Sequence, residues 1–102
     1  MTRAPFEYTK TLTISSGSAS HTTSVPFSNY LKHIIVVPTT STNTYNISLS
    51  TSDGITIYSR SSQVGNLGII PTGSGIPLIG FITITIASAT IDENINIKLV
   101  YE

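Results

Sequence analysis

The sequence predicts an all-β chain, folded as a single-domain antiparallel β-sandwich or jelly roll of about eight strands. Three observations carry this. Apolar and polar residues alternate with period two in several separate runs, the pattern of a strand with one buried face, because successive side chains leave a strand on opposite sides. Clusters of glycine, proline, serine and asparagine separate those runs at short intervals, as in sandwiches and jelly rolls. No window holds helical periodicity, and β-branched residues prevail.

With 102 residues and no break in composition, the chain can enclose one modest core and is too short for two. Residues 1–6 read as an N-terminal arm, with Pro5 setting an extended entry, and residues 7–102 as the sandwich domain. The first strand follows from Phe6, Tyr8, Leu12 and Ile14 on one parity against Glu7, Thr9, Thr11 and Thr13 on the other. Lys10 interrupts the apolar parity, which places it near a sheet edge or under the arm, where its stem can lie on apolar surface and its amine reach water. Ser15-Ser16-Gly17-Ser18 ends this strand. A weaker one follows over residues 19–25, stopped by Pro26. Phe27-Ser28-Asn29-Tyr30 reads as a turn with two aromatic anchors.

Leu31 to Val37 reads as the next strand, and its Ile34-Ile35-Val36-Val37 core is apolar on both parities, as expected of a central strand covered on both faces or buried at a subunit interface. Thr39 to Thr44 reads as a flexible polar loop. Tyr45, Ile47, Leu49 and Thr51 then alternate with Asn46, Ser48 and Ser50, and after Ser52-Asp53-Gly54 the alternation resumes from Ile55 to Ser59. Asp-Gly between two such runs predicts a hairpin with a tight primed turn, since glycine accepts the positive φ required. Residues 60–80, rich in glycine and proline, read mostly as loop with one short strand over residues 67–70. In the last third, the runs 81–87 and 94–102 alternate cleanly and flank the polar bridge 88–93, which predicts a second hairpin with one apolar face. The expected core is Leu12, Ile14, Ile34, Val36, Ile47, Leu49, Ile57, Ile82, Ile84, Ile95, Ile97 and Leu99.

Only 10% of residues are charged, five acids against five bases, well below the roughly 25% usual for a soluble domain. About three residues in ten are serine or threonine. A neutral, hydroxyl-rich surface has little charge repulsion to keep copies apart, which favours a component of an assembly. The basic residues Arg3, Lys10, Lys32, Arg60 and Lys98 are scattered, so no nucleic-acid partner is expected. No stretch approaches a membrane span and no apolar run follows the N-terminal residues, so neither a membrane partner nor a secretory signal is expected.

Chemistry is sparse. There is no cysteine, hence no thiolate metal site. His21 and His33 fall on separate predicted strands, without the spacing of a zinc pair. The strained Gly-x-Ser-x-Gly elbow of hydrolases is missing. Asp92-Glu93, with Asp53, could offer oxygen ligands to calcium, while the plainer reading is that the pair solvates a turn. The aromatic residues sit mostly at core parity, which favours packing over a sugar-stacking platform. No catalytic residue, cofactor or metal is expected.

The Thr11-Leu12-Thr13-Ile14-Ser15-Ser16-Gly17 opener, the Ser52-Asp53-Gly54 hairpin and the closing Ile95-Asn96-Ile97-Lys98-Leu99 give the chain a layout that resembles small auxiliary virion proteins of tailed bacteriophages. These are the all-β capsid decoration (cement) proteins and related head-fibre or tail-adaptor modules. The resemblance implies a sandwich or jelly roll that self-associates, often as a trimer, and binds the major capsid protein or other virion subunits, in a virion assembled in the host cytoplasm. A carbohydrate-binding or host-attachment module is the alternative, and an enzyme is the poorest fit because so few groups can move protons. The expected interface comprises the arm, Thr2, Arg3, Ala4, Pro5 and Phe6, which can add to a neighbour's open sheet edge, together with Ile35 and Val37.

Overall fold

The alternation resolves into nine strands among residues 6–73 and 75–102, the residues that the computed structural model describes. They are β1 (Phe6–Thr13), β2 (Ala19–Thr22), β3 (Phe27–Pro38), β4 (Thr44–Thr51), β5 (Thr56–Val64), β6 (Leu67–Ile69), β7 (Ile76–Gly80), β8 (Ile82–Ala87) and β9 (Asn94–Tyr101). β1, β9, β3 and β6 pair in that order in one sheet, and β7 joins it along β3. The other sheet has the order β2-β8-β4-β5. Every pairing is antiparallel. With β6 and β7 sharing one place, this is the strand order of a jelly roll.

The inner faces of the two sheets meet in one core. Leu31, Ile34, Val36, Ile97 and Leu99 from the first pack against Tyr45, Ile47, Leu49, Ile82, Ile84 and Ile86 from the second. Of the expected core residues, Ile57 alone is only partly buried, because β5 is an edge strand whose far side is open. Phe27, Leu31, Tyr45, Leu67, Leu78 and Ile86 complete the buried set.

Four expectations are corrected. The runs 81–87 and 94–102 are strands, but they do not form a hairpin: β8 lies in one sheet and β9 in the other. Two strands with apolar faces can bury them side by side or face to face, and period two is the same in both. Phe27-Ser28-Asn29-Tyr30 is the start of β3, not a turn. A β-bulge between Leu31 and His33 shifts the inward parity from Phe27 and Leu31 to Ile34 and Val36, which disguises the strand in sequence. Residues 60–64 extend β5, and β7 was hidden by Pro77, which an edge strand tolerates. The β4–β5 hairpin forms, but its turn is not primed.

In that turn Gly54 N donates to Thr51 O at 2.9 Å and Thr51 N to Ile55 O at 2.9 Å, and Gly54 has φ of 83° while Asp53 stays outside the positive region. This is the three-residue loop in which glycine takes the left-handed position after an ordinary turn.

Candidate functional site

The outward face of the five-stranded sheet carries the features a binding surface needs. Pairing registers place Glu7 beside Val100 and His33, Thr9 beside Lys98 and Ile35, and Thr11 beside Asn96 and Val37. Ile35 also faces Gly68 of β6. Because glycine supplies no side chain there, the Ile35 side chain stays uncovered on that flank. Around it opens a trough of about 460 Å³ lined by Thr9, Thr11, Ile35, Val37, Asn96, Ile97 and Lys98.

Its walls differ chemically. On the β1 side, Thr11 Oγ1 donates to Asn96 Oδ1 at 2.6 Å and Thr13 Oγ1 to Asn94 Oδ1 at 2.9 Å, which holds both amides in place. Lys98 Nζ stands 3.8 Å from Glu7 Oε1, a surface pair worth little by itself. Toward β3 the wall is apolar, and Val37 is 39% exposed. Further along the same face, Tyr30 is 48% and Ile79 72% exposed. They extend the apolar strip because Tyr30 pairs with Pro77 and Ser28 with Ile79.

Of the expected interface residues, Ile35 and Val37 therefore sit together on this face. Phe6 belongs to β1 rather than to an arm: it pairs with Tyr101, stacks on its ring at 5.7 Å and stays half exposed. Thr2, Arg3, Ala4 and Pro5 lie outside the described residues. Tyr30 and Ile79 join them without a local signal in the sequence: a bulge disguises the strand that carries Tyr30, and Pro77 disguises the one that carries Ile79.

The acidic residues at the end of the sandwich are committed elsewhere. Glu93 accepts from Thr40 N at 2.8 Å, Thr40 Oγ1 at 2.6 Å and Asn43 Nδ2 at 3.0 Å. The Thr40 hydroxyl, joined by the Thr40 and Asn43 amides against an opposing effect of desolvation, holds its carboxyl below the usual range. Asp92 accepts from Ser16 N and Gly17 N, each at 2.9 Å. Asn43, fully buried, donates to Ile91 O at 3.0 Å and accepts from Ile91 N at 3.3 Å. These bonds tie residues 39–43 to residues 88–93, so the segment read as a flexible loop is anchored. Asp53, in the β4–β5 turn, lies at the other end of β4 and cannot join Asp92 and Glu93 in one calcium site. Among the described residues no three His, Asp or Glu side chains converge.

His21, on β2, shares a hydrogen bond of 2.7 Å between its Nε2 and Tyr8 Oη, on a different strand from His33 on β3. Desolvation, reinforced by the Lys10 charge, holds its imidazole below the ordinary value. Tyr45 donates from its buried hydroxyl to Gly65 O at 2.7 Å, and burial pushes that phenol up to about 12. Gly65 has no substitute there, since it sits at φ of 67° and a Cβ would come within 2.5 Å of Ser41 O.

No family model matches the chain, and no curated protein matches it by sequence. Among solved structures, the chain is similar at 15% identity and a TM-score of 0.37 to the carbohydrate-binding module CBM36 in complex with calcium and xylotriose, over 93% of this chain and 87% of that one. A likeness at that score carries no argument about ligands. The all-β sandwich stands on the strands and their pairing.

Proposed function

We propose that this jelly roll is a non-catalytic assembly module: a structural virion protein of the auxiliary capsid type that self-associates and binds other virion subunits through the outward face of its five-stranded sheet. The observation that carries the reading is the apolar strip of Tyr30, Ile35, Val37 and Ile79, set on a face whose ionic groups are few. Exposed apolar residues grouped on one face mark interaction surfaces more than the same residues scattered singly do. Anchors of this kind, with a polar margin such as Thr9, Thr11 and Asn96, match the anatomy of protein interfaces.

A carbohydrate-binding or host-attachment role is the second reading. What favours it is the polar wall, where fixed Asn94 and Asn96 amides and neighbouring hydroxyls could meet sugar hydroxyls. Against it, the residues lining the trough include no aromatic ring for a sugar face to stack on.

Sedimentation of tagged protein with undecorated phage shells, at low salt and in molar sodium chloride, tests the proposal. Burial of apolar surface is not screened, whereas exposed charge pairs are screened over about 3 Å at 1 M salt. Attachment should survive high salt. Failure to sediment with any shell, together with binding on a glycan array, would move the function to the second reading.

A further inference from the structure

We infer that two copies of this protein join through their β1 edges, antiparallel about a two-fold axis at Thr9, so that the two five-stranded sheets become one continuous sheet. The inference deepens the assembly reading above and rests on it for the expectation that copies associate. What it adds is which edge pairs and in which register.

Each sheet has two edges, and among the described residues three of the four are blunted. β2 has four residues and is followed by Pro26. β5 is long but bulged: its register with β4 shifts between Tyr45 and Ile47, Ser62 takes φ of 54°, and Ser62 N donates to Asn46 Oδ1 at 2.8 Å. On the β3 side, β6 has three residues and β7 contains Pro77, which lacks an amide donor. Proteins use such short, bulged or proline-bearing edges to prevent pairing with other chains. β1 differs. Its eight residues pair with β9 in unbroken register, without proline, glycine or positive φ, and most of its side chains are exposed.

The sequence of β1 fixes the register. Pairing that keeps both cores on the same side must oppose residues of equal parity. A two-fold at Lys10 would set two ammonium groups directly opposite each other, which is repulsive. Axes at Tyr8 or Thr11 pair shorter stretches. With the axis at Thr9, residues 6 to 12 of the two chains pair: half-exposed Phe6 faces the partner subunit's Leu12, Lys10 faces the partner's Tyr8, and Glu7 faces the partner's Thr11. Lys10, whose charge would otherwise protect the edge, then lies over a ring that attracts cations. This arrangement is a closed dimer, distinct from the trimer that the resemblance implies.

Because the chain has no cysteine, one introduced thiol reports the register directly. Directly opposed residues have Cβ atoms about 4.5–5.5 Å apart, within a small movement of disulfide geometry. Thr9→Cys should give a covalent dimer on mild oxidation. Thr11→Cys should not, because its two copies would stand four residues apart along the strands, about 14 Å. Equal cross-linking of the two variants would overturn the register. Thr9→Lys, which opposes like charges at the axis, should raise the dimer dissociation constant about tenfold in sedimentation equilibrium. An unchanged constant would overturn the edge. Protein that remains monomeric yet sediments with shells would refute this pairing and leave the assembly reading standing. Unsubstituted protein that dimerises in sedimentation equilibrium yet ignores shells, while Thr9→Cys cross-links, would do the reverse.

Discussion

The two outward faces of the sandwich are built from the same residue pool and differ in kind. On the four-stranded sheet, one register row runs Ser20, Thr85, Ser48, Ser59 and the next runs Thr22, Thr83, Ser50, Thr56, so that every residue in both rows bears a hydroxyl. Thr22 and Thr83 share a hydrogen bond of 2.9 Å across their strands. On the five-stranded sheet the corresponding rows mix threonine, asparagine and an ion pair with Ile35, Val37 and Val100. A low overall charge could have been spread evenly, yet it is not. Two whole rows of one face meet water with hydroxyls, and the other face keeps apolar side chains at the surface. The difference teaches that the apolar surface of the two sheets' outward faces is concentrated on the five-stranded one, the face proposed to bind.

The largest expected effect breaks that asymmetry. Val37→Asp should lower attachment to shells by about 100-fold or more, the scale of losing an interface anchor. Thr85→Asp, on the opposite face, should leave attachment within about twofold. Equal losses in a quantitative sedimentation assay would mean that the faces do not differ in function. Next comes Gly68→Thr. This glycine has no positive φ, and a Cβ there would meet nothing closer than His33 Nε2 at 3.8 Å. The variant should fold with its melting temperature nearly unchanged while partly covering Ile35, so binding should weaken about tenfold. By contrast Gly54→Val, in the turn beside the hydroxyl face, should lose about 1 kcal/mol in thermal or urea melts with no change in binding. Space is free around Gly54, so the loss comes from forcing φ of 83° on a branched residue.

The smallest effect is the pH response. Glu93 is held below its usual value in the folded chain, so it stabilises the fold fully above the unfolded value near 4.5 and loses that contribution as pH falls through the folded one. His21, also lowered, has the same sign, with its loss beginning below about 6.5. Melting temperature should therefore decline from pH 6.5 downward in two stages. His21→Gln should remove the first stage and Glu93→Gln the second, and profiles unaffected by either substitution would contradict the bonds described for both. Neither residue lies on the outward rows of either sheet, so shell binding should follow stability and nothing more.

The fold class was legible because alternation in residues 45–51, 82–87 and 95–101 reports burial directly. Pairing was not legible from the same signal. Ile82, Ile84 and Ile86 face Ile95, Ile97 and Leu99 through the core rather than along a shared sheet, and both arrangements bury the same side chains. In β3 the bulge broke the alternation, so Phe27 and Tyr30 were read as a turn. For the site, Ile35 and Val37 stood out as apolar residues on the parity opposite Ile34 and Val36. Tyr30 and Ile79 did not, since nothing local reveals that β7 lies along β3. The anchoring of Glu93 to Thr40 and Asn43 links segments about fifty residues apart and has no local signature.

The crossing of the chain between sheets has a kinetic consequence. Among the described residues, β4 and β5 are the one pair of sequence neighbours that share a ladder, while Phe6 must find Tyr101 and β9 must enter between β1 and β3. Closing such long loops before any contact rewards them is slow, and folding in milliseconds to seconds is expected, as for other non-local all-β domains. The β4–β5 hairpin is the natural nucleus, since its loop is short and its glycine already favours reversal. Until β9 arrives, β1 has no ladder partner on either side. The same strand that would join two finished subunits is thus, during folding, the one most open to wrong ones, and the interval before β9 docks is when this protein is most exposed to aggregation.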